Sequence, residues 1–450
     1  MMRIITRQPP FRKPPLPSGA GALTGPGTRR RFLDFRPIPT YVGTSAPPLV
    51  RESRWALTVV ALLLLSGCVQ PQLRGALTPV DAARFRADAV RFLQESALGD
   101  EPALRMNAIE ALADVAPVEG LQSIEMNLEN EYAGASFAAM MALGTLREKE
   151  FLDRIRTRSE HPDPNVRIAA LYALHRMGDQ KRTGELGDYL LNHRDAHVRA
   201  NAALAIGRLG EPSSTRLLNR ALKRERKDLP RLQILEALAI MGDRYATEQL
   251  IFLGRSAYPD QATLAIGFLA NAKSPDADEL FRDRLSPSKT FPEIGLAAAR
   301  GLGVLGDEGG LDLALCYLAF EARGLAAGGE PPEQQTARVR GLAALALEAI
   351  GNPEALKALH TAFRLPGQSA YVRLAVARAA IRIIDGGGRR PSAGPRPAAR
   401  STPTSGKSEP ASEGRPVSMA GPRGSHGPRP RAPGSGFRAS PGCVVGVWTC

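Results

Sequence analysis

Between Asp163 and Glu211 the apolar and polar positions fall in the same order twice, as DPNVRIAALYALHRMGD and then as DAHVRANAALAIGRLGE. In the first copy Val166, Ala170, Leu174 and Met177 recur at spacings of four, four and three, which puts them on one face of a helix. Gly178 and Gly210 follow the last apolar position. Glycine takes the left-handed conformation that closes a helix, so each predicts a stop. Asp163 and Asp195 stand three residues before the apolar face begins, where a carboxylate can cap free amides.

The same pattern extends over most of the chain. Taking Val166 as reference and the residue twelve positions later as the stop, the matching starts are Leu104, Ala135, Val166, Val198, Pro230, Tyr258, Ile294, Val339 and Val372. Successive starts lie 31, 31, 32, 32, 28, 36, 45 and 33 residues apart, close to the length of one helical pair except at one insertion. The reading is nine stacked helical pairs over 81–385, an all-α solenoid. The first helix is expected from a cap at Asp81 to Gln94. The insertion, Arg323 to Gln335, carries Gly and Pro without a period and is expected to be a loop.

The D-x-x-V-R opening and the A-x-x-A-L-x-x-x-G close resemble HEAT repeats, in particular the short bacterial type related to the phycobilisome-lyase repeats. The resemblance covers about two thirds of the chain and implies a right-handed α-solenoid. In that family the Asp and Arg pair as a ladder along the stack. Asp163 and Asp195 match the aspartate, and Arg105, Arg167, Arg199, Arg231, Arg340 and Arg373 match the arginine; Lys227 replaces the aspartate of the next unit.

The flanks are different material. Residues 1–49 and 386–450 are rich in Pro, Gly and Arg and lack periodicity, so they cannot bury enough apolar surface to fold and are expected to be disordered. Residues 50–67 read as a secretory signal: Arg51 and Arg54 precede an apolar run from Trp55 to Leu65, too short to span a bilayer. Its end, Leu65-Ser66-Gly67-Cys68, resembles the lipobox of bacterial lipoproteins, which implies lipidation of Cys68, with palmitate among the chains, and a tether over 68–80. Several acyl chains anchor a protein stably where one does not. The long stretch before the signal suggests that translation starts near Leu49 or Val50.

Charge sharpens the picture. The chain carries a formal +14, yet residues 1–54 and 386–450 each hold 10 basic against 2 acidic residues, leaving 39 against 41 in between. A solenoid tracking a phosphate backbone needs a basic groove, so nucleic acid is not an expected partner. The cysteines at 68, 316, 443 and 450 form no CxxC pair, and Cys316 lies in an apolar helical run.

Candidate chemistry is sparse. His161 and His193 occupy equivalent loop positions, with His197 four residues beyond, and they read as ordinary loop histidines. The HEAT-like di-iron hydroxylases use His-Glu pairs, and no His-Glu dipeptide occurs here. No catalytic residue, cofactor, metal or small-molecule substrate is expected. Nine positions after each start stand mostly small residues, among them Gly144, Gly207, Gly267 and Gly303, read as points of close helix approach. Six positions after each start come Glu110, Met141, Tyr172, Leu204, Glu236, Leu264, Arg300, Leu345 and Arg378, the row on which a concave partner-binding ridge is expected. The functional expectation is a membrane-tethered scaffold for protein contacts in the bacterial cell envelope, on the outer-membrane or periplasmic side. The competing readings are a lyase-like or metal-dependent enzyme in the groove and a HEAT-like nucleic-acid-binding protein.

Overall fold

The computed structural model describes residues 74–286, 291–323 and 330–386. The proposed signal at 50–67, Cys68 and the flanks 1–49 and 387–450 lie outside the described residues. Within them every regular element is helical. In chain order the α-helices are α1 (Pro79–Leu98), α2 (Pro102–Val115), α3 (Pro117–Glu125), α4 (Ala133–Leu146), α5 (Leu152–Arg158) and α6 (Pro164–Met177). Then come α7 (Glu185–Asn192), α8 (Ala196–Leu209), α9 (Thr215–Arg224), α10 (Asp228–Ile240), α11 (Arg244–Gly254) and α12 (Pro259–Asn271). The last are α13 (Asp278–Arg284), α14 (Pro292–Val304), α15 (Leu311–Leu318), α16 (Pro332–Ile350), α17 (Leu356–Arg364) and α18 (Ala370–Ile384).

The local chemistry is that of the repeat. Asp163 and Asp195 accept hydrogen bonds from the amides of Asn165 (2.7 Å) and His197 (2.9 Å) at the starts of α6 and α8. Gly178, Gly210, Gly242, Gly306 and Gly351 all have positive φ just past an inner helix. In the second unit Arg147 takes that conformation instead, at φ 63°. Two boundaries differ from expectation. The first helix begins at Pro79 and runs to Leu98, because Thr78 is its cap: the hydroxyl accepts from the Asp81 amide at 3.2 Å. Asp81 belongs to the first turn. Helix α16 begins inside the expected loop, since Pro332 with its fixed φ and Glu333 suit a first turn.

The even-numbered helices form an inner layer in which each packs on the next even-numbered one, and the odd-numbered helices cover them from outside. The apolar stripe predicted for the second helix of each unit is the core between these layers: Val166, Ala170, Leu174 and Met177 are all buried. Small residues nine positions after each start do let backbones meet. A Cβ on Gly144 would lie 2.6 Å from the Ala173 Cα, and one on Gly207 would lie 3.0 Å from the Ala237 Cα. On Gly303 it would lie 2.6 Å from the Ile350 amide nitrogen.

The array does not stop at its ninth unit. Helix α18 packs against α2 and α1, so the last unit sits on the first and the inner layer closes into a ring. The described residues therefore form an all-α solenoid of nine inner helices whose two ends meet.

Candidate functional site: the inner face and the seam

The matched arginines build a regular structural bond, though not the carboxylate ladder that the resemblance implies. Arg167 donates to the carbonyls of His161 (2.6 Å) and Pro162 (3.0 Å) in its own loop and to the Tyr189 hydroxyl of the next helix (2.6 Å). Arg199 repeats this with the carbonyls of His193 (2.8 Å) and Arg194 (3.1 Å) and with Glu225 (2.7 and 3.0 Å). Arg105 donates to the Gly99 carbonyl, Arg231 weakly to that of Leu222, and Arg340 to that of Phe320. Arg167 and Arg199 thus tie a loop to their own helix and reach the next element. Asp163 and Asp195 each give an oxygen to the helix start beside these cations, and the Asp195 charge acts on Arg199. Arg373 departs from the pattern, lying against Phe92 and Phe363 with its Nε unbonded among the described residues.

The row expected to form an open binding ridge is instead largely buried. Met141, Tyr172, Leu204, Glu236, Leu345 and Arg378 are buried, and Glu110, Leu264 and Arg300 are half-buried. Ring closure is the reason, because curvature brings the inner faces together and the side chains bond sideways. The Tyr172 hydroxyl meets Thr145 of α4 at 3.0 Å. Asn271 of α12 donates to Glu236 of α10 at 2.7 Å and accepts from Arg300 of α14 at 2.7 Å. Arg208 of α8 lies near enough to act on the charge of Glu110 of α2, three units away, a sign of how far the inner face closes in; burial nonetheless pushes the Glu110 carboxyl up.

A cluster of ion pairs joins the two ends at the seam. Arg378 donates to Glu348 at 2.9 Å and to Asp114 at 2.6 Å, and Arg382 also donates to both. Two carboxylates from the first and eighth units thereby hold two guanidinium groups of the ninth. Burial pulls the Asp114 carboxyl up, but Arg378 and Arg382 outweigh it and hold it at about 2. On the outer side Arg86 grips Asp385 with two bonds of 2.7 and 2.9 Å, and Phe85 and Phe92 meet the Phe363 ring. Before the first helix, Gly75 exchanges backbone bonds with Glu354 (2.8 Å) and Lys357 (3.0 Å), and Arg74 reaches Glu354 and Asp312.

The histidines serve loops. The Nδ1 atoms of His161 and His193 each lie 3.1 Å from the amide of the capping aspartate two residues on and accept from it. His175 stands where neighbouring units have small residues and bridges Thr183 (2.9 Å) to Glu211 (2.9 Å). Cys316 is half-buried. Among the described residues, no group of three or more His, Cys, Asp or Glu is arranged to hold a metal ion. Sequence reasoning missed the seam residues Asp114, Glu348 and Arg382. The available signal was charge at positions of the second helix that are small or apolar in most units.

Residues 183–266 match the family model described as HEAT repeats. Among solved structures, the CpcE and CpcF complex of phycocyanin lyase from Nostoc sp. PCC7120 is similar at 17% identity over 54% of this chain and 94% of that one, with a TM-score of 0.34. Human deoxyhypusine hydroxylase in complex with glycerol is similar at 16% identity over 69% of this chain and 100% of that one, with a TM-score of 0.28. No curated protein matches the sequence. The chain carries HEAT repeats over 183–266, and its described body is an all-α solenoid of HEAT-like helical pairs.

Proposed function

We propose that this protein is a scaffold that binds protein partners in the bacterial cell envelope, held on the outer-membrane or periplasmic side by a lipid on Cys68. The observation that supports binding is a row of exposed aromatic residues on one edge. Phe252, 73% exposed, ends α11, and Tyr258 and Phe291 cap α12 and α14. The end of an outer helix and the starts of the two following inner helices lie on the same edge, so the three rings belong to consecutive units. Large exposed aromatic side chains mark protein interfaces, where they supply area at low entropic cost. The tether rests on the lipobox resemblance. Five residues separate Cys68 from Arg74, which is tied to Glu354 and Asp312, and the six steps between them span about 22 Å at most. A lipid on Cys68 therefore holds the seam side of the ring close to the bilayer.

The test pairs fractionation with site-specific crosslinking. Wild type should enter the membrane fraction with an acylated Cys68 at its amino terminus, and Cys68→Ser should not. A photocrosslinker at position 252 should give discrete adducts that Tyr258→Ser with Phe291→Ser abolishes. A soluble wild type retaining residues before Cys68 refutes the tether; adducts unaffected by the double substitution refute the binding edge.

A further inference from the structure

We infer that the seam holds a binding site for an oxyanion of the phosphate type, centred on Arg373. A cavity of about 610 Å³ opens between α1 and the turn joining α17 to α18, and its wall holds Arg91, Arg364 and Arg373, the rings of Phe92 and Phe363, and the carboxylates of Asp88 and Glu95. Its size lies in the range of small-molecule sites. Asp88 is shared by two of the cations, pairing with Arg91 and, at 3.4 Å, with Arg364. Arg373 has no such partner among the described residues. Its guanidinium lies 4.5 Å from the Phe92 ring centre and 5.0 Å from that of Phe363, and its Nε is buried without a hydrogen bond.

The repeat explains why this cation is left over. In other units the matched arginine spends its donors on loop carbonyls, as Arg105, Arg167, Arg199 and Arg340 do. In the ninth unit the loop is a tight turn in which Gly367 takes φ +71° and the Gln368 amide bonds to the Leu365 carbonyl. The following element, supplied by ring closure, is α1, which sets the Phe92 ring against the guanidinium. Contact with the two rings leaves the N–H donors of Arg373 without a hydrogen-bond acceptor among the described residues, and a fork of such donors suits two oxygens of one phosphate or carboxylate. With three arginines against two carboxylates, the cavity wall carries an excess positive charge that such a ligand neutralises. The ligand would touch both the first and the last unit, so its binding favours the closed ring.

The experiment follows thermal unfolding of the full chain against inorganic phosphate, at ionic strength held constant with chloride, in wild type, Arg373→Met and Arg373→Lys. Methionine retains apolar packing against the rings and removes the donors. Wild type should gain stability with phosphate, and the apparent affinity should fall at least about tenfold in Arg373→Met, with Arg373→Lys between them. Sedimentation with phosphatidylglycerol vesicles, against phosphatidylcholine, separates the sources: Arg373-dependent binding to the former alone identifies a lipid headgroup, and a response to inorganic phosphate identifies a soluble ligand. If Arg373→Met does not fold, Arg91→Gln with Arg364→Gln should weaken phosphate binding in its place. No Arg373-dependent response to phosphate or anionic vesicles, or an equal response in the variants, overturns the site.

Discussion

Asp114→Asn tests ring closure with the least disturbance of shape. The side chain accepts from Arg378 and Arg382 of the opposite end of the chain, and the amide that replaces it cannot neutralise them. The lowering of its carboxyl from 3.8 to about 2 corresponds to roughly 2.5 kcal/mol at neutral pH. Because the side chain is 41% exposed, solvent screening reduces this, and a loss of about 1 to 2 kcal/mol is expected. Breaking a fully buried pair costs more, about 3 to 5 kcal/mol, so Glu348→Gln within the same cluster should exceed it. The Asp114 contribution has a definite pH dependence. A lowered carboxyl stabilises the fold above its unfolded value near 4, and the stabilisation fades as pH falls towards 2. Hydrogen exchange read by mass spectrometry gives the decisive pattern. In Asp114→Asn, protection should drop together in α1, α2 and α18, while α8 and α10 keep theirs. A drop confined to α2, as for the free end of an open stack, refutes closure.

Three further outcomes are expected. Gly207→Val drives a branched side chain into Ala237, whose Cα is 3.0 Å from the added Cβ, and should cost about 2 to 3 kcal/mol by denaturant unfolding. Arg147→Gly relieves a left-handed non-glycine residue at φ 63° and should raise stability by about 0.5 to 1 kcal/mol in the same assay. Glu225→Gln weakens the bonds to Arg199 and to the amides of Arg226 and Lys227, for a loss of about 1 to 3 kcal/mol. Burial pulls the Glu225 carboxyl up while Arg199 and the two amides outweigh it and lower it. Its stabilisation is present above the unfolded value near 4.3 and lost as pH falls through the lowered one, so this variant should show a flatter acid limb of stability against pH.

What the sequence made legible is what repeats within about 30 residues. The apolar stripe of Val166, Ala170, Leu174 and Met177, the glycine stops and the aspartate caps all depend on neighbours a turn or two away. The close approach at Gly144, Gly207 and Gly303 was visible for the same reason. Ring closure was not, because it depends on the sum of small rotations between units, and its contacts join residues as distant as Arg86 and Asp385. The inner row was misread as a consequence: Glu236, Arg300 and Arg378 look like a groove lining when the array is assumed open. They become cross-links once neighbouring inner faces converge. Arg373 shows the opposite case, since its sequence context matches the other arginines and only the meeting of the two ends changes its surroundings.

An open stack of helical pairs can lengthen or shorten by whole units, and each end then needs a polar lid to shield its last apolar face. Here α1 and α18 are each other's lid. The circumference admits only those unit numbers whose rotations add to a full turn, so duplication or deletion of one pair would strand two apolar faces at once. Growth is confined to insertions that leave the rotation untouched, such as the segment between α15 and α16. This protein can acquire new surface along its edges, but its size is fixed by geometry.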